Sequence, residues 1–424
     1  MIMTSVAPRT PAAGWRRRVF AFWAGSASQI PMTIKRLTAW AVRVPLRRTI
    51  RHASHARDET DNLIVRCELE GGASGWGEGV PRSYVTGETI DSALASLRSL
   101  DWAALVRQWR WVDFDSAVAA VAELSLPPKP GDERGIHGNA ARCALELALL
   151  DALGRHFGRP LSAITALWAP ELHRPRQRVQ YSGAITSAQG LKARLLAVGM
   201  RLYGFAHLKV KVGIPGQDDV ARLRAIRQAV GARMSLRIDA NEAWTAGNVE
   251  QKIRALMPFG IDAVEQPVPH AEIGCLRAVR DHLGVAIMHD ESLCGLRDAE
   301  AAVDSGTCDL FNLRLSKCGG FLPTLRLAQF ARRRGLGCQL GCQVGETGIL
   351  SAAGRHFASS VGGLRFVEGS YDRRLLAANV LRKDITFGRG GWAPALTGPG
   401  LGVEVDEGAV RRLATQTVEL WPPI

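Results

Sequence analysis

Two lysines, Lys209 and Lys211, stand two apart in the run LKVKVG at 208–213. In an extended strand they project from one face. Downstream, Asp239, Glu265, Asp290 and Lys317 each follow a short apolar run, at gaps of 28, 26, 25 and 27 residues counted from Lys211. Taken singly, each has an ordinary account. Lys-x-Lys suits an edge strand, a strand-ending aspartate suits a helix cap, and Lys317 before Gly319-Gly320 suits a loop. The shared period has no such account. One strand-plus-helix unit takes about that length, which places five polar residues at equivalent ends of successive parallel strands.

Three carboxylates converging on one mouth repel unless a cation lies among them. An all-oxygen set formed by Asp239, Glu265 and Asp290 suits Mg²⁺ or Mn²⁺, with Asn241 supporting it from the face of Asp239. A divalent ion bound to a substrate carboxylate acts as a Lewis acid for removal of the α-proton and stabilises the enediolate. The base must then be neutral. Two ammonium groups about 4 Å apart at an effective dielectric of about 20 repel by about 4 kcal/mol. That is enough to bring a lysine, ordinarily near pKa 10.4, well towards neutrality. Lys209 is therefore expected to depress Lys211 and to help hold the substrate anion. Lys317, four strands further round a ring of eight, is expected to face Lys211 across the substrate and to deliver a proton or stabilise the enediolate.

The elements that position these residues follow from the alternation of patterns. From Val179 onward, short apolar runs (VQYSGAI, HLKVKVG, LRIDANEAW, AVEQPV, AIMHDES, LFNLRLSKCGG, CQLGCQVGET and RFVEGSYD) alternate with amphipathic stretches such as DDVARLRAIRQAV. Eight strands with seven or eight helices between them predict an α/β chain with a (β/α)7-8 TIM-like barrel. Ahead of it, MTIKRLTAWAVRVPL, DNLIVRCELEGG and SGWGEGV read as strands, followed by helical patterns that end at Gly158 and Pro160. These elements predict an N-terminal α+β domain, which the resemblance given below implies is a capping domain. The polar stretch at 47–61 reads as a mobile loop. The expected division is a disordered or misassigned extension at 1–31, the capping domain at 32–165, the barrel at 166–372, and a segment at 373–424 returning to the cap.

The 424 residues are 46% hydrophobic with a net charge of +14. The arginines are scattered and no aromatic-interleaved basic face stands out, so nucleic acid is not an expected partner. No apolar run reaches the roughly 18 residues of a membrane span. Eight cysteines without metal-type spacing read as reduced thiols of a cytoplasmic enzyme.

The motifs LKVKVG, RIDANEAW, VEQP, HDES and LSKCGG, in this order, resemble the enolase superfamily and within it the muconate lactonizing enzyme subgroup. The resemblance runs from about Met32 to near the C-terminus. It implies Asp239, Glu265 and Asp290 as metal ligands and Lys211 and Lys317 as an opposed acid–base pair assisted by Lys209. It also implies a lid around Arg51–Asp58, with His52, His55 and Arg57 as substrate-binding candidates. Tyr84 in a second segment, Glu346 after the seventh strand and Glu368 after the eighth join them. The subgroup holds cycloisomerases, dehydrating synthases, and dipeptide or N-acylamino acid epimerases. Dipeptide epimerases typically carry Asp-x-Asp at the eighth strand for the substrate ammonium, where this chain reads VEGSYD, with Glu368 as the one candidate for a cation. That departure and the basic lid favour a muconate-type cycloisomerase acting on a small carboxylate. An epimerase or racemase is the alternative, and a catalytically silent binding protein is the alternative of another class. A homo-oligomer stays open.

Overall fold

The computed structural model describes residues 32–51 and 56–422. The expected extension at 1–31 and the lid residues His52 and His55 lie outside the described residues. Three strands open the chain: β1 (Ile34–Arg51), β2 (Ala56–Leu69) and β3 (Ser74–Gly79). They form an antiparallel sheet in the order β14-β1-β2-β3, where β14 (Ala414–Trp421) returns from the end of the chain to pair with β1. Most of the stretch read as a mobile loop is instead strand. β1 and β2 continue past a register shift as a paired arm, with Ile50 opposite Arg57. The polar side chains misled because an exposed two-stranded arm has no buried face to write alternation into the sequence.

β3 packs on the helix Asn139–His156. Gly75, Gly77 and Gly79 share one face of the strand, and Ala140, Ala144, Ala148 and Ala152 form a ridge at four-residue spacing on the helix. A Cβ on Gly77 would lie 2.0 Å from the Ala144 carbonyl oxygen and 2.4 Å from the Ala148 nitrogen. Backbone cannot give way as a side-chain tip can. Gly77→Ala should therefore destabilise the fold by about 3 kcal/mol, read as a lower urea midpoint at unchanged slope. An unshifted midpoint would mean that the strand and helix do not pack this closely.

The barrel follows. Its strands are β5 (Gly183–Ile185), β6 (His207–Lys211), β7 (Ser235–Asp239), β8 (Ile261–Glu265), β9 (Ile287–His289), β10 (Leu310–Leu313), β11 (Gly337–Leu340) and β12 (Leu364–Val367), all parallel and in sequential order. The Ser182 N–H donates to the Val367 carbonyl at 2.8 Å and joins the last strand to the approach of the first. Each gap between strands carries a helix, and β12 is followed directly by the short helix Asp372–Leu375. The segment VQYSGAI divides. Arg178–Gln180 (β4) pairs with Trp392–Pro394 (β13) as a separate ribbon, and only Gly183–Ile185 enters the barrel.

Buried polar contacts fasten the cap to the barrel rim. Glu78 of β3 accepts from Asn62 Nδ2 (2.6 Å), Thr347 N (2.8 Å), Thr347 Oγ1 (2.7 Å) and Leu350 N (3.0 Å). It thus satisfies two of the N–H groups, those of Thr347 and Leu350, at the start of the helix Gly348–Ser360. Arg82 donates to Thr60 Oγ1 and to the Val344 carbonyl. Together they grip the segment 343–347 after β11, which carries Glu346.

The helix Gly348–Ser360 also holds a titrating group far from the rim. His356 accepts at Nδ1 from the Ser162 N–H (3.3 Å) and meets the Leu401 carbonyl through Nε2 (3.0 Å). Only the neutral ring satisfies both contacts, and burial pulls its pKa down from 6.5 to about 4. The folded value lies below the ordinary one. The contribution, about 3 kcal/mol, is therefore complete above pH 6.5 and lost as pH falls towards 4. His356→Gln should flatten the stability–pH curve across that window. An unchanged slope would show that His356 does not titrate there.

Candidate active site

The register of the barrel brings the expected residues level. Lys211 pairs with Asp239 across β6 and β7, and Asp239 pairs with Glu265 across β7 and β8. Lys209 is a buried hub. Its Nζ lies 3.2 Å from Asp239 Oδ2, 3.1 Å from Glu265 Oε1 and 3.0 Å from Glu368 Oε1. Burial works against its charge, but Glu265, Glu368 and Asp239 outweigh this and raise its pKa. Lys211 donates to Asn241 Oδ1. Burial lowers its pKa, Asp239 opposes the change, and Lys209 adds a smaller push in the same direction. The sequence reading thus had the direction right and the main cause wrong, because Lys209 is countered by three carboxylates.

The second group lies at β9 and β10. Lys317 is wholly buried and donates to Asp290 Oδ1 at 2.8 Å and to the Asp290 carbonyl. Burial lowers its pKa. Arg314 joins the two groups. Its Nη2 bonds Asp290 Oδ2 and lies 3.8 Å from Glu265 Oε1. Glu265 also accepts from Asn312 Nδ2 (2.8 Å) and Gln339 Nε2 (3.3 Å). Asp239 accepts from the Asn241 N–H (3.0 Å). Burial raises its pKa, but Lys209, Lys211 and Arg314 overcome this and hold it near 2.

A cavity of about 180 Å³ opens on this network. Lys209, Lys211, Asp239, Asn241, Glu346 and Glu368 line it, as expected, and Tyr84 reaches it from the cap. Lys317, Asp290 and Glu265 are not on its wall. Lys317, expected to face Lys211 across the substrate, is bonded to Asp290 in this side-chain arrangement. Arg57 stacks its guanidinium 5.5 Å from the Tyr84 ring centre. Glu346 Oε1 accepts from the Gln343 N–H at 2.6 Å, and burial pushes its pKa up to about 8. Glu368 is not a free carboxylate. Lys209 and Arg237 both bond it and hold its pKa near 2 against burial, so it offers no open site for a substrate cation.

Several residues of the site were not singled out from sequence: Arg237, Asn312, Arg314, Gln339 and Glu291. A signal was present. Arg237, Asn312 and Gln339 are polar residues inside otherwise apolar strands, which in a closed barrel must point inward to partners. Glu291 lines the cavity beside Asn241, whose Nδ2 lies 3.4 Å from its Oε1. Its Oε2 is buried without a partner, and burial with Asp239 and Glu242 pushes its pKa up to about 7.

Among the described residues no three His, Cys, Asp or Glu side chains converge closely enough to hold an ion in this side-chain arrangement. Lys209, Arg314 and Lys317 now counter the three acids. The donor set nevertheless fits a hard divalent cation. It is all oxygen, buried and carried on adjacent strands, and Arg314 Nη2 stands between Glu265 and Asp290 as their shared positive charge.

Residues 192–409 match the enolase C-terminal domain-like family, and the chain belongs to it. It is 30% identical over 331 residues to the hydrophobic dipeptide epimerase of Enterococcus faecalis, covering 78% of this chain and 88% of that one. It is 27% identical over 385 residues to the N-succinyl-L-Arg/Lys racemase of Bacillus cereus, covering 90% and 98%. Among solved structures, the dipeptide epimerase of Cytophaga hutchinsonii complexed with Mg and D-Ala-L-Val superposes with a TM-score of 0.77 at 25% identity, over 92% of this chain and 100% of that one. The muconate lactonizing enzyme of Pseudomonas fluorescens superposes with a TM-score of 0.78, also at 25% identity, over 91% and 100%. The expectation of the enolase superfamily is met. The narrower expectation of the muconate subgroup rests on likeness of structure, whereas the curated relatives described above are an epimerase and a racemase.

Proposed function

We infer that the chain is a Mg²⁺-dependent racemase or epimerase that inverts the carbon α to a carboxylate in a dipeptide or N-acylated amino acid. The observation that carries this reading is the level alignment of Lys211, Asp239 and Glu265 at the mouth of one barrel, above a cavity that also takes in Lys209. The epimerase and racemase relatives support it over the cycloisomerase first expected, over a dehydrating synthase and over a silent binding protein.

Asp239, Glu265 and Asp290 would hold the ion, with Mn²⁺ as the other oxygen-preferring candidate. When bound, it supplies Lewis-acid stabilisation of the charge that builds on the substrate carboxylate. Lys211, its pKa lowered by burial, takes the α-proton from one side. Lys317 serves the other side, and Asp290 is the group that positions it. Lys209 stays charged and keeps Asp239, Glu265 and Glu368 together. Among the described residues no helix is long and apolar enough to cross a membrane.

The test is incubation with Mg²⁺ in D₂O of L,L-dipeptides and N-acyl-L-amino acids, followed by proton NMR and polarimetry, beside ultraviolet assay of cis,cis-muconate. Deuterium at the α-carbon with loss of optical purity is expected. Conversion of muconate alone would return the function to cycloisomerisation.

A further inference from the structure

At the end of the barrel where its strands begin, opposite the mouth, a second groove of about 560 Å³ opens. Its lining shares no residue with the active-site cavity. One wall is the start of two barrel strands, with His207 from β6 and Arg365 and Phe366 from β12. The other is the ribbon of β4 and β13, which brings Arg176, Arg178 and Trp392. The ribbon is anchored: the Arg176 N–H donates to the Ser359 carbonyl and the Ala395 N–H to the Gln177 carbonyl, both at 2.8 Å. Phe366 stands between the groove and the active site. Its ring centre lies 5.4 Å from that of His207 and 4.5 Å from the guanidinium carbon of Arg237, which bonds Glu368.

The charge of this groove is one-sided. Arg176, Arg178 and Arg365 are exposed, and no carboxylate of the described residues lines it. Asp262 stands beside it, but Arg365 Nη2 donates to its carbonyl (3.2 Å), and its Oδ2 accepts from Ser235 Oγ (2.6 Å). With Asp262 counted against the three guanidinium groups, two positive charges are left over. His207 adds none at neutral pH, because burial and Arg237 lower its pKa against Asp262. Its Nδ1 is buried without a partner. Arg178 lies 4.2 Å from the ring centre of the exposed Trp392, a stack that holds the guanidinium in place. Guanidinium forks match the oxygens of phosphate with paired N–H bonds, and several together suit a dianion. The volume is that of a small-molecule pocket.

We propose that this groove binds the phosphate group of a small molecule, held by Arg176, Arg178 and Arg365. The phosphate has two sources, free inorganic phosphate or a nucleotide whose base lies along Trp392. The proposal stands apart from the racemase or epimerase reading, since none of these residues belongs to the active site.

The experiment is calorimetry of the full chain with inorganic phosphate, AMP and adenosine. At least one of the two phosphates is expected to bind once per chain with Kd below about 1 mM (about −4 kcal/mol), and adenosine more than tenfold more weakly than AMP. Equal affinity for phosphate and AMP assigns the groove to free phosphate. A more than tenfold preference for AMP that Trp392→Leu abolishes assigns it to a nucleotide. Arg176→Met, Arg178→Met and Arg365→Met should each weaken binding about tenfold at an unchanged melting temperature, as these side chains are exposed. Lys211→Ala should bind as the wild type does, which separates the groove from the active site. Absence of binding by both phosphates, or undiminished binding when all three arginines are replaced, overturns the proposal. A single-stranded oligonucleotide that binds through the same arginines more than tenfold tighter than AMP would make the groove a nucleic-acid contact and overturn it as well.

Discussion

Lys211→Ala and Lys317→Ala are each expected to lower the rate of α-inversion about a thousandfold, the usual scale for loss of a positioned acid or base. The two should fail differently. Inversion needs a proton taken from one face and another given to the opposite face. With Lys317 gone, Lys211 can still take and return a proton on its own side, so one enantiomer exchanges its α-proton with D₂O without inverting. With Lys211 gone, the other enantiomer does so. The contrast separates catalysis from folding, because a damaged fold would slow both enantiomers alike. Retention of exchange by both enantiomers in both variants would remove these lysines from the mechanism. Lys317 is the more exacting case. It is fully buried against Asp290, so its alanine variant should be checked by circular dichroism and urea unfolding before its kinetics are read.

Chelation is expected to bring proton transfer below a hundredth of its starting rate and to leave the protein folded. The second half of that statement comes from the ion pairs. Several buried carboxylates without counter-charge would open a barrel, but here Lys209, Arg314 and Lys317 already pair with Asp239, Glu265 and Asp290. A chelated enzyme should thus keep its far-ultraviolet spectrum and melt cooperatively. Added Mg²⁺ at about a hundred times its dissociation constant should raise stability by about 2.7 kcal/mol and restore the rate. Full activity in the chelated protein would sink the metal assignment. Collapse of the fold would show that the internal cations do not stand in for the ion.

Much of the site was legible because a barrel converts sequence distance into spatial phase. Lys211, Asp239 and Glu265 are one repeat apart in sequence and are register partners in the sheet. What the sequence did not convey is which charge each residue faces. Lys209 and Lys211 read as a repelling pair, yet Lys209 turns to Glu265, Glu368 and Asp239 while Lys211 turns to Asn241. Glu368 read as a free acid for a cation, and Arg237, from a strand 131 residues earlier, takes it. Arg314 lies two residues beyond Asn312 in an apolar context, and only the closed ring shows that it spans Glu265 and Asp290. The mouth was least legible. Its wall combines the β1 arm, the rim after β11 and the turn after β12, and no local pattern records that they meet. The lean to muconate drew on the absence of Asp-x-Asp after the eighth strand and on the basic composition of the lid, of which His52 and His55 lie outside the described residues.

The central claim is that Asp239, Glu265 and Asp290 hold one divalent ion beside Lys211. Mn²⁺ binding followed by electron paramagnetic resonance tests it most directly, in the wild type and in Asp239→Asn, Glu265→Gln, Asp290→Asn and Lys211→Ala. The expected result is one site per chain whose affinity falls more than a hundredfold in each carboxylate variant and persists in Lys211→Ala. Unchanged Mn²⁺ affinity in all three carboxylate variants would contradict it.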